Sequence, residues 1–157
     1  MKSIWFKKVA EKYGWMGNMA PYPITVEGKI WRTSEALFQG MRFDDEVIKE
    51  IIRQEKSPMG AKMKAKKYSD QMVVVPMSDL DVEQMKKCVR IKFDQHPALK
   101  KMLLDTVGSY IYEDIGNRKG ERHKFWGVKK ISENEGDGQN MMGRILMELR
   151  DELLEKL

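Results

Sequence analysis

The chain has few of the residues that build disulfide frameworks and metal centres. Its 157 residues include one cysteine, Cys88, and two histidines, His96 and His123. A single cysteine excludes an internal disulfide, and two histidines with one cysteine form no recognisable zinc motif. Cys88 lies in an amphipathic run, which favours a buried structural thiol. We therefore expect a protein without a metal or an organic cofactor, in a reducing, cytoplasmic setting.

Long apolar segments are also missing. The longest apolar run, residues 72–75, has four residues, whereas a membrane-spanning helix needs about 20. The N-terminal residues do not show the pattern of a signal peptide. We expect neither a signal peptide nor an association with a membrane.

The charged residues are abundant and evenly mixed. They make up 34% of the chain, against 41% hydrophobic residues, and the net charge is +5. This length suits one core better than two, so we expect a single domain over residues 1–157. The positive charge modestly favours anionic partners, either phosphorylated small molecules or nucleic acid. A lysine cluster at positions 62, 64, 66 and 67 is weak support for nucleic acid, because no aromatic residues interleave it.

Hydrophobic periodicity and capping signals predict a mainly helical α+β fold with a small β-sheet. The expected helices cover residues 34–43, a segment after 44–45, 58–67, about 79–93, a segment from 97, and a segment from about 140. The expected strands cover residues 3–6, 24–26, 30–31, 107–113 and 128–131. Residues 114–124 and 133–138 are expected to be irregular loops.

The most informative segment is residues 28–43. Glu35, Gln39 and Arg42 are spaced by four and three residues, which places them on one face of the predicted helix. Facing a cleft, they would offer a proton-transfer group, a neutral hydrogen-bonding group and an anion clamp. An ordinary surface helix explains the same spacing, with Ser34 as its cap and an acidic residue in its first turn. Spacing alone leaves both interpretations open.

Several motifs, in order along the chain, resemble the NADAR superfamily. They are Gly17-Asn18, Tyr22-Pro23, Gly28-Lys29, Trp31-x-Thr33-Ser34-Glu35-x-x-Phe38-Gln39, Ser57-Pro58-Met59, Lys92-Phe93-x-Gln95-His96, Trp126-Gly127 and Gly138-x-Asn140-x-x-Gly143. The resemblance covers roughly residues 14–154. It implies a compact, mainly helical fold and the hydrolysis of N-glycosidic bonds.

The resemblance also implies roles for individual residues. Glu35 matches the expected catalytic carboxylate. Residues expected near the substrate are Asn18, Gln39, Arg42, Trp126 and Asn140. Core packing is an equally good explanation of Trp126, and helix capping is an alternative for Asn140.

The chemistry of the reaction fits these residue types. Breaking the bond between ribose C1 and nitrogen builds positive charge on the sugar, which a carboxylate stabilises or relieves by activating water. Arg42 or a lysine is expected to hold a phosphate, and Trp31 or Trp126 to stack on the leaving base. Burial would raise the pKa of Glu35 and a close arginine would lower it, so the sequence leaves the protonation state of this carboxyl open.

One departure from the family pattern concerns the second acid. His123 stands where family members typically carry an aspartate, three residues before Trp126. The second acid is then expected to be His123 itself, lying near the substrate, or a nearby carboxylate. An ordinary loop histidine is an equally credible interpretation of His123. The candidate carboxylates are Glu113, Asp114, Glu121 and Asp137.

Three functions remain open at this point. The first is cleavage of ribosylaminopyrimidine phosphates from the riboflavin pathway, which the resemblance suggests first. The second is removal of ADP-ribose from guanine or nucleic acid. The third is a module that binds ADP-ribose or ribose phosphates without turnover, which the departure at His123 motivates. The expected partner is therefore a phosphorylated ribosyl compound, with nucleic acid left open.

Overall fold

The computed structural model describes residues 2–157. The chain folds into two compact units, one continuous (Asn18–His96) and one built from Met1–Gly17 and Pro97–Leu157. The mainly helical α+β class is confirmed, but the strands form three separate two-stranded sheets among these residues where one small sheet was expected. The expectation of a single domain stays a prediction.

All the helices and strands predicted by periodicity are present. The strands are β1 (Lys2–Phe6), β2 (Ile24–Val26), β3 (Lys29–Trp31), β4 (Ser109–Glu113), β5 (Lys129–Ser132) and β6 (Glu135–Asp137). The helices are α1 (Ser34–Gly40), α2 (Glu46–Gln54), α3 (Pro58–Lys67), α4 (Asp79–Gln95), α5 (Pro97–Leu104), α6 (Glu121–Trp126) and α7 (Met141–Glu155). Short 3-10 turns lie at Gly14–Met16 and Ser69–Gln71. Within residues 2–157, none of the helices has the length and apolar character needed to cross a membrane.

The central element of the continuous unit is α1. It packs against α2, α3, α4 and β3, and all seven of its residues are buried. Thr33, rather than the expected Ser34, caps the helix: its backbone is extended and its hydroxyl accepts a hydrogen bond from the Ala36 amide at 3.1 Å. A helix buried on every side is normally apolar, so the polar residues inside α1 require a specific explanation.

The discontinuous unit is organised around the pairing of β1 with β4. The two strands are parallel, and their inward residues Ile4, Phe6 and Ile111 are buried. Helix α7 packs on β4, and a Cβ added at Gly143 would lie only 2.2 Å from the Ile111 carbonyl oxygen. Glycine therefore permits the close approach of α7 to the strand.

Two elements are present where irregular loops were expected. Helix α6 follows Gly120, whose φ of 113° lies outside the usual range of other residues, and strand β6 forms a hairpin with β5. Helix α6 contains no buried residue, and β6 is exposed except for the half-buried Gly136. Neither element therefore carries the alternation of apolar and polar residues by which sequence analysis finds helices and strands.

Helix α4 contains a buried lysine. Lys92 is 1% exposed, and its Nζ lies 5.5 Å from the ring centres of both Tyr22 and Phe93. Burial lowers the pKa of Lys92 to about 7. The folded protein therefore releases this proton at a pH where the unfolded chain still holds it.

We predict that Lys92 makes the free energy of unfolding depend on pH. The pKa of Lys92 in the folded protein is depressed from 10.5 to about 7. The free energy of unfolding is therefore highest above pH 10.5, where Lys92 is neutral in both states, and this contribution is lost as the pH falls through 7. Denaturant titrations across this window should show unfolding free energies that rise by up to about 1.4 kcal/mol per pH unit. Lys92→Met should flatten this rise, whereas Lys87→Met, an exposed position of the same helix, should retain it. Parallel pH curves for Lys92→Met and the parent would contradict the prediction.

Candidate active site

Glu35 is a buried carboxyl group in the first turn of α1. It is 8% exposed, and its Oε2 accepts a hydrogen bond from Gln39 Nε2 at 3.1 Å. Burial raises the pKa of Glu35, and the charge of Lys62, the Gln39 hydrogen bond and the charge of Arg42 oppose that rise only in part. A raised pKa in a buried site is typical of a group that exchanges protons during catalysis.

The polar line that begins at Glu35 continues through Gln39 to Arg42, two residues past the end of α1. Arg42 Nη1 donates to Gln39 Oε1 at 3.3 Å. Arg42 also donates to both carboxylate oxygens of Asp81 in α4, from Nε at 2.9 Å and from Nη2 at 2.8 Å. The guanidinium carbon lies 4.5 Å from the centre of the Phe38 ring. All three nitrogens of Arg42 are thus engaged within the unit, two of them in a buried ion pair, and its contact with a substrate anion stays a prediction.

Asn18 positions the start of α1. Its carbonyl oxygen accepts from the Glu35 amide at 3.1 Å, and its side-chain Nδ2 donates to Met85 Sδ at 3.4 Å. The Ser34 hydroxyl donates to Asn18 Oδ1. Asn18 is 8% exposed, and its backbone contact with the Glu35 amide places it beside Glu35. Its contact with a substrate stays a prediction.

Lys62 in α3 is the largest charge opposing the raised pKa of Glu35. In the sequence it belongs to a basic cluster of weak significance. Within that cluster Lys62 and Lys64 are half-buried, Lys66 and Lys67 are exposed, and Lys64 lies 3.8 Å from Glu55. The charge of Lys62 therefore acts on the candidate catalytic carboxyl.

Trp31 is a core residue in this structure. It is 7% exposed, and a Cβ added at Gly40 would lie 2.6 Å from its ring. The indole therefore packs on the backbone of α1, and glycine is required for that approach. The expected stacking of Trp31 on a leaving base is not supported, because the ring has almost no exposed face.

Three further predicted residues lie in the discontinuous unit. His123 and Trp126 are half-buried in α6, where the Trp126 ring meets Phe125 edge to face at 4.9 Å. Asn140 does not cap α7 with its side chain. It accepts from the Glu113 amide at 3.0 Å and donates to the Ile111 carbonyl at 2.8 Å, which ties the start of α7 to β4. Contact of these residues with a substrate stays a prediction.

Two of the candidate acids have other partners. Lys124 Nζ lies 2.6 Å from Asp137, and this hydrogen bond lowers the pKa of the Asp137 carboxyl. Asp114 Oδ1 accepts from the Gly116 amide at 2.8 Å. A general acid needs a raised pKa near neutral pH, which Asp137 does not have. Among residues 2–157, no group of three or more histidine, cysteine, aspartate or glutamate side chains is arranged to hold a metal ion.

Sequence reasoning missed Asp81 as part of this site. Asp81 is fully buried, yet it lies in the first turn of α4, where acidic residues are common for reasons of capping. The Ser78 hydroxyl accepts from the Asp81 amide at 3.3 Å, which identifies the start of the helix but not the burial of the Asp81 side chain.

Comparison with known proteins defines the class to which this fold and site belong. The NADAR domain profile matches residues 5–154. The chain is a member of the NADAR family.

Among its relatives is the Escherichia coli (strain K12) protein N-glycosidase YbiA, which is 35% identical over 148 residues, covering 94% of this chain and 86% of that protein. A riboflavin biosynthesis protein of Vibrio vulnificus is 33% identical over 97% of this chain and 39% of that protein. The NMR structure of E. coli YbiA matches with a TM-score of 0.80 at 33% identity, covering 99% of this chain and 88% of that one.

Proposed function

We propose that this protein is an N-glycosidase that hydrolyses the bond between ribose C1 and nitrogen in a phosphorylated, nucleotide-like substrate. The observation that carries the proposal is Glu35, a buried carboxyl with a raised pKa, held by Gln39 within a helix that is buried on all sides. The family membership and the relative named N-glycosidase YbiA support it.

The proposed reaction breaks one bond and forms another. The C1–N bond breaks, a water oxygen bonds to C1, and a proton passes to the leaving nitrogen. Glu35 is the proton-transfer group, since its raised pKa brings proton exchange closer to neutral pH. We assign the substrate phosphate to Lys62, because the Arg42 guanidinium is paired with Asp81. This chemistry needs no metal or organic cofactor.

We propose ribosylaminopyrimidine phosphates of the riboflavin pathway as the first substrate class. The Vibrio relative named as a riboflavin biosynthesis protein supports this choice. Removal of ADP-ribose from guanine or nucleic acid is the second candidate. The net charge of +5 and the positive charge of Lys62 acting on Glu35 favour this longer anion. We also propose the cytoplasmic setting that the single cysteine suggests.

A mass-spectrometric hydrolysis assay tests the proposal. A ribosylaminopyrimidine 5′-phosphate and an ADP-ribosyl-guanine conjugate are incubated side by side with the protein, and free sugar phosphate and free base are quantified. Multiple turnover of one substrate alone establishes the reaction and identifies which of the two substrate classes the protein cleaves. A steep fall in kcat/KM with added salt would mark the longer anion as the substrate.

The same assay separates catalysis from binding. Tight binding of ADP-ribose or a ribose phosphate, without product over a long incubation, would contradict the proposed reaction. It would support the non-catalytic module.

A further inference from the structure

A chain of hydrogen bonds connects the start of α4 to the candidate catalytic carboxyl in α1. Asp81 accepts from Arg42 Nε and Nη2 and, through Oδ2, from the Met77 amide at 2.8 Å. The chain continues from Arg42 Nη1 to Gln39 Oε1 and from Gln39 Nε2 to Glu35 Oε2. The four residues that form it, at positions 35, 39, 42 and 81, are each at most 9% exposed. It is therefore shielded from the solvent.

The direction of donation fixes the Gln39 amide. A guanidinium can only donate hydrogen bonds, so Arg42 selects the amide oxygen of Gln39. The NH2 group of Gln39 must then face Glu35, where it donates to the carboxylate. If the amide were reversed, its NH2 would face the Arg42 donors and its oxygen would face the carboxylate. Both contacts would then be repulsive.

Asp81 holds the arginine that makes this selection. Its two oxygens bind Arg42 in a fork that leaves one guanidinium nitrogen aimed at Gln39. Met77, with a left-handed φ of 66°, directs its amide onto the same carboxylate and so fixes Asp81 in turn. Each member thus orients the next.

We propose that Asp81 is a positioning residue of the N-glycosidase reaction, acting through Arg42 and Gln39 to hold the Glu35 carboxyl in its reactive orientation. The inference rests on the proposed function, because Asp81 is assigned a role in orienting the catalytic carboxyl of that site. Asp81 itself has 0% exposure and reaches no substrate.

The charges around Glu35 give this role a signature. Arg42 lowers the pKa of Glu35 and Asp81 raises it, while Lys62 in α3 lowers it further. The charge of Glu35 also contributes to the raised pKa of the Cys88 thiol in α4. Neutralising Asp81 leaves Arg42 uncompensated, so the pKa of Glu35 should fall. Removing the Gln39 donor should raise it.

The kinetic test uses Asp81→Asn, Gln39→Met and the double variant, with Asp79→Asn as an exposed control in the same first turn of α4. Each single variant should lower kcat about 10- to 100-fold with little change in KM, because a catalytic group is misplaced. The double variant should be no slower than the slower single variant, because the two residues act in series. The control should match the parent.

The pH profile of kcat gives the readout that a merely structural role would not move. The part of the pH profile that reports the ionisation of Glu35 (its Glu35 limb) should shift to lower pH in Asp81→Asn and to higher pH in Gln39→Met. Asp81→Glu, which keeps the charge, should restore the parent position of that limb. If Asp81→Asn does not fold, Asp81→Glu alone and combined with Gln39→Met takes its place in the kinetic comparison.

The outcomes separate this inference from the proposed function. An absence of product from the parent protein is a failure of the proposed function. An active parent, with Asp81→Asn equal to it in kcat and pH profile, overturns the inference alone. A double variant whose loss is the product of the single losses also overturns it, since Asp81 would then act independently of Gln39.

Discussion

Replacing Glu35 with glutamine is expected to lower the rate of N-glycosidic cleavage by a factor of about 10² to 10⁴. Glutamine keeps the size of the side chain and an oxygen that can accept from Gln39 Nε2, so the contact at 3.1 Å survives. It cannot exchange a proton with water or with the leaving nitrogen. The loss should therefore appear in kcat, measured by release of the sugar phosphate, and not in substrate binding.

The matched control is Glu46→Gln. Glu46 also lies in the first turn of a helix, but its side chain is 75% exposed, so the rate should not change. In the parent, the limb of the pH profile that belongs to Glu35 should lie above its ordinary pKa of 4.5, because burial raises that pKa. Equal rates for Glu35→Gln and the parent would remove Glu35 from the reaction.

The same substitution should not weaken the fold. A carboxyl whose folded-state pKa is raised contributes stability below its unfolded pKa and loses it as the pH rises through the folded value. At neutral pH, Glu35→Gln removes a group that is costly to ionise. A rate loss without a loss of stability is characteristic of a group retained for catalysis.

Asp81→Ala is expected to lower the free energy of unfolding by about 3–5 kcal/mol. The Arg42–Asp81 pair joins the turn after α1 to α4 at 2.8 Å, with side chains 11% and 0% exposed. Removing the carboxylate leaves a buried guanidinium and the Met77 amide without their acceptor. Denaturant unfolding at neutral pH measures the effect directly.

A double-mutant cycle identifies the pair as the cause. Arg42→Met combined with Asp81→Ala should be no less stable than Asp81→Ala alone, because no unpaired charge then remains. Glu83→Ala in the same helix should change stability little, since Glu83 pairs with Lys86 at the surface. Strictly additive losses in the cycle would show that the two side chains contribute separately.

The sequence predicted most of this fold because its helices carry strong local signals. Proline and hydroxyl caps at Ser57-Pro58 and Ser78, with apolar spacing in α4 and α7, identify elements that the structure contains. Helix α6 and strand β6 escaped because they are short and exposed, so no buried face imposes a period on them. The pairing of strands into three sheets depends on contacts distant in sequence, which periodicity does not encode.

Spacing alone predicted only the members of the site that lie close together in the sequence. Spacing placed Glu35, Gln39 and Arg42 on one face, and they form one hydrogen-bonded line. Spacing could not show that Arg42 is paired, because Asp81 comes from another helix, 39 residues further along the chain. The effect of Lys62 on the pKa of Glu35 could not be predicted either, because a run of lysines in a helix does not show which of them acts on a buried carboxyl.

The parallel pairing of β1 with β4 has a consequence for synthesis on the ribosome. Residues 2–6 emerge before the continuous unit, whereas their partner strand, residues 109–113, emerges only after the whole of that unit. All segments of the continuous unit are then available, so it can fold while the edge of β1 is still unpaired. Closing so long a loop makes the strand pairing a late event of high contact order. The nascent chain can therefore assemble Glu35 and its hydrogen-bonded line before β1 pairs with β4.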